Sequence, residues 1–179
     1  MKSPFTGKEM IVAKEWRTMS FRKEEFKVLF HSYRCVDTGE QFEDDDFAQL
    51  NYNQLVNQYR VKYNIPFPEQ IIGIRSKYDL PASKMSEILG FGANVYRQYE
   101  AGEVPSQSNA KLIQLVDDPH EFRKLVDLCT TVDPKTKEKI YKRIDSLLEG
   151  QKHVKFEKQL EISHNEKVGV SKSKTAFLY

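Results

Sequence analysis

The sequence predicts an α+β fold: a small N-terminal β-hairpin domain, a linking helix, and an all-α helix-turn-helix region with extra C-terminal helices. Three observations predict it. β-Branched and aromatic residues crowd Glu9–Arg17 and Glu24–Arg34, two runs long enough to be the strands of a hairpin. From residue 43 onward the apolar residues recur at helical spacing instead. Prolines and glycines then cut that stretch into short segments, at Pro68, Pro81, Gly90, Gly102, Pro105, Pro119 and Pro134.

In the hairpin, Ile11, Val12 and Trp16 face Phe26, Val28, Phe30 and Tyr33 across a turn around Thr18–Lys23. His31 reads as a solvent-facing strand residue. A sheet this small is marginal by itself, so it is expected to pack on the helix after it or on a second copy of itself. Polar turns flank it, MKSPFTG at 1–7 and RCVDTGEQF at 34–42, and each ends a short pair of polar residues with a glycine.

Glu43, Asp44, Asp45 and Asp46 come next. Four carboxylates in a row suit the first turn of a helix, where the backbone dipole favours negative charge, better than a metal or catalytic cluster. The helix is expected over Asp44–Tyr63, with Phe47, Leu50, Leu55, Val56 and Tyr59 on its apolar side, until Asn64, Pro66 and Pro68 break it. Residues 43–67 thus link the hairpin domain, 1–42, to the helix-turn-helix region.

Residues 68–118 carry the densest pattern. A first helix, Pro68–Tyr78, places Ile71, Ile74 and Tyr78 on one face; a second starts at Pro81 and turns Met85, Ile88 and Leu89 inward. Gly90 ends it in a left-handed cap. The third helix, about Ala93–Glu100, is expected to bury Val95 and Tyr99 and to leave Asn94, Arg97 and Gln98 outside. Two short helices held at a large angle by a tight turn are the geometry that puts the second into a DNA major groove.

This run resembles the helix-turn-helix of phage-repressor-type regulators, and most of all that of MqsA/YgiT-type antitoxins. The resemblance rests on IRSKYDL at Ile74–Leu80, the small Ser86, ILGFG at Ile88–Gly92 and YEAG at Tyr99–Gly102; Asn51 and the Tyr59–Arg60 pair fit the pattern too, and the match runs from residue 1 to about Asp118. It implies that Asn94 and Gln98 read bases. Arg97 and Lys84 are expected on phosphates, with Gly92 and Ala93 in the turn that approaches them. The family position of Gln98 is usually arginine, so the base read there is expected to differ. Many such domains have glutamine where Ala82 stands, which leaves one phosphate contact without its usual side chain. The resemblance also implies a zinc ribbon at the N-terminus, held by two Cys-x-x-Cys knuckles. Here the four ligand positions are Ser3, Thr6, Cys35 and Thr38. One thiol and three hydroxyls do not make a closed zinc site, so no metal and no cofactor is expected, and packing with Gly7 and Gly39 must keep the ribbon.

Beyond Pro105 a helix from Ser108 to Val116 turns Leu112, Leu115 and Val116 inward, and one from Pro119 does so with Phe122, Leu125, Val126 and Leu128. A last helix from Pro134 to Leu148, stopped by Gly150, has Ile140, Ile144, Leu147 and Leu148 on one side; closing the monomer core and pairing across a dimer fit that stripe equally. These helices make a segment 119–150, and residues 151–179 read as a basic flexible tail, with Val154, Phe156, Leu160 and Ile162 able to form one edge strand.

The 179 residues carry a net charge of +2, spread unevenly: 8 Lys and Arg against 10 Asp and Glu over 61–134, but 11 against 6 over 135–179. Slight acidity around the helix-turn-helix disfavours tight non-specific DNA binding, while leaving a few register-fixing contacts open. No apolar run reaches the length of a membrane span and no signal-peptide core opens the chain, so a cytoplasmic protein with two free cysteines, Cys35 and Cys129, is expected. The four histidines form no ligand spacing, and neither a phosphate-binding glycine loop nor a nucleophile elbow occurs; no enzyme is indicated.

The expected function is therefore a homodimeric, sequence-specific regulator of a palindromic double-stranded DNA operator. By resemblance it is the antitoxin of a type II toxin–antitoxin pair that represses its own operon and binds a toxin protein. The competing expectation is a protein-interaction adaptor in which DNA binding has decayed.

Overall fold

In the computed structural model, which describes residues 1–152, strand β1 (Ile11–Phe21) pairs antiparallel with β2 (Glu24–Arg34), from Ile11 opposite Arg34 to Phe21 opposite Glu24. β1 runs four residues past the point where the sequence places the turn. Met19 and Phe21 continue the alternation and pack on the core, so the reversal shrinks to Arg22 and Lys23. Both take left-handed backbone angles, φ 49° and 68°, the requirement of the two-residue turn whose twist matches the strands. A short β3 (Gln41–Phe42) adds to the other side of β2, giving the order β1-β2-β3.

The acidic run starts helix α1 (Asp45–Lys62): Asp44 is the N-cap, its Oδ1 accepting the Phe47 N–H at 2.9 Å, with Asp45 and Asp46 in the first turn. Leu55, Val56 and Tyr59 of α1 join Phe26, Val28, Ile65, Val104 and Ala110 in one apolar core. Leu50, expected inward, is 41% exposed, and the buried position goes to Asn51. Its amide, with those of Gln54 and Gln58 on the same helix, bonds the backbone of His31, Leu29 and Lys27 along the edge of β2 that β3 leaves open.

Among the described residues six more helices follow in the α+β fold: α2 (Pro68–Lys77), α3 (Ala82–Ile88), α4 (Val95–Glu100), α5 (Gln107–Leu115), α6 (Pro119–Leu128) and α7, residues 134–152. α5 buries Ala110 and Ile113, and α6 buries Phe122 and Val126. Leu115 and Leu128, both expected inward, are exposed. Each lies two residues after a buried one, Ile113 or Val126, about 200° around the helix. α7 buries Ile140 and Ile144 within this chain and passes through Gly150 to residue 152 instead of stopping there. The expected tail lies, from residue 153 on, outside the described residues.

The chain divides into two compact units. One comprises Met1–Ile71 with Gln98–Ile113, the other Ile72–Arg97 with the described residues from Gln114 onward. The first holds the sheet, α1 and the apolar core around Val28 and Tyr59. In the second, the Tyr78 and Phe122 rings meet at 4.1 Å, the Tyr78 hydroxyl donates to the Val116 carbonyl at 2.6 Å, and Arg143 Nε donates to the Lys77 carbonyl at 2.8 Å. Among the described residues no helix is long and apolar enough to cross a membrane.

Candidate nucleic-acid interface

The Pro81 carbonyl, preceding α3, accepts the N–H groups of Lys84 and Met85 at 3.0 and 3.1 Å, so proline caps the helix without needing a donor. Arg75, the arginine of the IRSKYDL run, closes the α2–α3 turn by donating from Nη1 to the Leu80 carbonyl at 2.8 Å. α3 ends at a left-handed Gly90, φ 70°, with Gly90 N–H bonded to Glu87 and Phe91 N–H to the Ser86 carbonyl. That pair of bonds is a Schellman cap.

Ser86 is fully buried, and its Oγ accepts the Tyr96 N–H at 3.0 Å. A side chain larger than serine there would lose that bond, which gives the small residue of the sequence pattern a physical role. α4 begins at Val95, two residues later than expected. Tyr96 is fully buried and Val95 only half-buried, so the inward stripe is Tyr96–Tyr99 rather than Val95–Tyr99. The i, i+3 tyrosine pair was the sequence signal for it.

Asn94, Arg97 and Gln98 are exposed, as are Gly92 and Ala93. Asn94 stands in the turn ahead of α4 rather than on the helix. A Cβ at Gly92 would meet the Val95 side chain at 3.1 Å, which keeps this turn close to the helix start. Lys84 is half-buried and paired with Glu87 at 2.7 Å, and that pairing holds the Glu87 carboxyl below its usual range. Its charge is therefore partly neutralised within α3. α4 ends in a second Schellman cap: Gly102, φ 110°, bonds the Tyr99 carbonyl, and Glu103 N–H bonds the Gln98 carbonyl at 3.0 Å. The Tyr99 hydroxyl accepts from Asn109 at 2.8 Å.

In the ribbon, the two flanking turns have the same internal bonding. Ser3 N–H bonds the Lys8 carbonyl and Gly7 N–H the Ser3 carbonyl; Cys35 N–H bonds the Glu40 carbonyl and Gly39 N–H the Cys35 carbonyl, all at 2.8–2.9 Å. Gly7 and Gly39 are left-handed at φ 68° and 74°. The turns converge on the Cys35 thiol, which is 1% exposed, with Thr6 Oγ1 at 3.6 Å. Hydrogen bonds from Ser3, then from the Thr38 side chain and backbone, and from Thr6 stabilise the thiolate and bring its pKa down to about 6. The structure thus gathers all four positions singled out in the sequence. As a donor set they do not fit zinc, and among the described residues no three His, Cys, Asp or Glu side chains group as ligands.

Compared with known proteins, the chain matches the family described as the antitoxin component of bacterial toxin-antitoxin systems, MqsA, over residues 1–127, past the Asp118 at which the sequence pattern ends. It is 31% identical over 90 residues to antitoxin MqsA of Escherichia coli (strain K12), a match that covers 49% of this chain and 68% of that protein.

Proposed function

The chain belongs to the MqsA family of bacterial antitoxins, and from that premise we propose that it is a sequence-specific DNA-binding repressor of its own operon that also binds the partner toxin. The observation that carries the DNA half is the division of α4. Tyr96 and Tyr99 anchor the helix, while Asn94, Arg97 and Gln98 stand exposed on its other side and just ahead of it. An asparagine amide pairs with adenine N6 and N7, and a glutamine amide can do the same one turn on. Arg97 serves the phosphates, joined by Lys84 once it leaves Glu87. A homodimer would set two such helices into successive major grooves, with half-sites roughly 34 Å apart.

The toxin half draws support from the ribbon surface. Among the described residues β1 is an edge strand of its sheet, paired on one side only. Val12 and the 71% exposed Trp16 lie on the face of β1 that carries Leu29 opposite Trp16. An unpaired edge beside exposed apolar side chains suits addition of a partner's strand.

Fluorescence anisotropy of the full chain, titrated onto duplexes from its own upstream region and onto a scrambled duplex at two salt concentrations, tests the proposal. Specific binding is expected, with Asn94→Ala costing about 1–3 kcal/mol. Wild-type and Asn94→Ala proteins binding the operator equally would remove α4 from base reading. The second reading, an adaptor without DNA function, is favoured by the Lys84–Glu87 pairing and the acidic balance of 61–134. Equal binding to every duplex, or none, would select it.

A further inference from the structure

Arg60, in the last turn of α1, is 1% exposed, and its partners are backbone carbonyls rather than a carboxylate. Nη1 donates to Pro66 O at 2.9 Å, and Nη2 to Gly102 O at 2.8 Å and Glu103 O at 3.3 Å, while Nε has no partner. Arg22, at the hairpin turn, donates from Nη1 to Pro105 O at 2.9 Å and from Nη2 to Val104 O at 2.5 Å. Two guanidinium groups therefore hold four consecutive carbonyls, 102 to 105, of the segment that leaves α4.

Backbone conformation and burial favour neither arginine, although the Arg22 guanidinium also lies over the Phe21 and Tyr59 rings, 5.3 and 5.5 Å from their centroids. A buried guanidinium with an unmatched N–H is commonly no better for stability than a well-packed apolar residue. Arg22 occupies a left-handed turn position at φ 49°, where asparagine or glycine sits with less strain. The connection to α4 is direct. In the peptide between Gly102 and Glu103, the carbonyl accepts from Arg60 and the N–H donates to the Gln98 carbonyl at 3.0 Å. One peptide plane thus joins the Arg60 fork to the backbone of Gln98.

We propose that Arg60 and Arg22 are positioning residues for DNA reading. By fixing the 102–105 carbonyls they set the C-terminal end of α4, and with it the aim of Gln98, without touching DNA themselves. The inference rests on the proposed DNA-reading function of α4, and it makes the ribbon's hairpin turn part of the DNA-reading apparatus.

The test compares wild type with Arg22→Asn, Arg60→Lys and Arg60→Met by anisotropy. Operator duplexes carry single base-pair changes opposite Gln98 and opposite Asn94, salt is varied, and a thermal melt accompanies each protein. Asn is at ease in the left-handed turn but leaves the Val104 and Pro105 carbonyls without the guanidinium, so Arg22→Asn is expected to fold with a modestly lower melting temperature and to bind operator, well below that temperature, about 3- to 10-fold more weakly. Discrimination should fall more opposite Gln98 than opposite Asn94, with the salt slope unchanged. Arg60→Lys keeps the charge but loses the fork, and it should fail to restore discrimination. Should Arg60→Met not fold, Arg22→Asn still decides. Wild-type affinity and discrimination in Arg22→Asn would overturn the inference alone, as would a salt slope reduced by about one, the mark of a direct phosphate contact. A wild-type protein with no specific binding would overturn the DNA-reading function and this inference with it.

Discussion

Asn51 and His31 exchange two hydrogen bonds as two strands would: Asn51 Oδ1 accepts the His31 N–H, and Asn51 Nδ2 donates to the His31 carbonyl, both at 2.8 Å. Gln54 repeats the exchange with Leu29 at 3.1 and 2.9 Å, and Gln58 donates to the Lys27 carbonyl at 2.8 Å. A row of side-chain amides on α1 thus completes the edge of β2 beyond the two-residue β3. Asn51→Leu would bury His31 N–H and C=O without partners. The expected cost is about 2–4 kcal/mol, against about 1–2 kcal/mol for Gln54→Leu at its more exposed site. Urea unfolding of the two variants checks this; equal midpoints for wild type and Asn51→Leu would mean that the edge is satisfied some other way.

Much of this fold is legible in the sequence because its elements announce themselves locally. The acidic cap of α1, the prolines opening α3 and α6, and Gly90 at the end of α3 each act within one turn of chain. The parts that are not legible depend on distant partners. Nothing beside Asn51 in sequence marks it as a strand substitute. The Arg22–Lys23 turn lacks the Asn-Gly signature of its type, so the sequence pattern underestimates the length of β1. In the candidate site, the exposure of Arg97 and Gln98 is a consequence of helical period, whereas Asn94 is exposed in the turn ahead of α4. The late start of α4 depends on the Ser86 Oγ that accepts the Tyr96 N–H, which spacing does not encode, whereas the Lys84–Glu87 pair is an i, i+3 contact that spacing does encode.

The two ribbon turns share one pattern of backbone hydrogen bonds around a donor set that does not fit zinc. Chelator treatment is therefore expected to leave the melting temperature unchanged, with elemental analysis finding no stoichiometric zinc. The converse is a sharper check. Ser3→Cys, Thr6→Cys and Thr38→Cys together supply four thiolates on turns already bonded in the right shape. That triple variant should take up about one zinc ion per chain and melt higher with zinc than without it. A triple variant indifferent to zinc would show that the two turns have drifted from ligand geometry.

Cys35 ties ribbon stability to pH. The Ser3, Thr38 and Thr6 hydrogen bonds favour its thiolate and lower the folded pKa to about 6, against an ordinary value of 9.0. A depressed folded pKa contributes stability that is complete above the unfolded pKa and is lost as pH falls through the folded one. In a Cys129→Ser background, the stability gap between Cys35 and Cys35→Ser proteins should therefore widen from pH 6 to pH 9. Thiolate ultraviolet absorbance should titrate near the lower value. A gap that stays flat across that window, with the thiol titrating near 9, would mean that the hydroxyls do not stabilise the anion.

Gln98 offers the most specific check on the base reading proposed for α4. It is exposed, its backbone carbonyl is held by Glu103 N–H at 3.0 Å, and its carboxamide has the donor and acceptor to match adenine N6 and N7. Where this chain has glutamine the family pattern usually has arginine, whose fork matches guanine O6 and N7 instead. Gln98→Arg should therefore move the preferred base pair opposite α4 from A·T to G·C, with discrimination of about 1–3 kcal/mol in each direction. Preference opposite Asn94 should stay as it was. A panel of operator duplexes carrying all four base pairs at each position, titrated with both proteins at one salt concentration, reads this out. If the variant gains affinity equally for all four, the new arginine has found a phosphate, and Gln98 is not the base-reading residue. If preference switches at that one position, a single side chain on α4 explains how this chain and its arginine-bearing relatives select different operators.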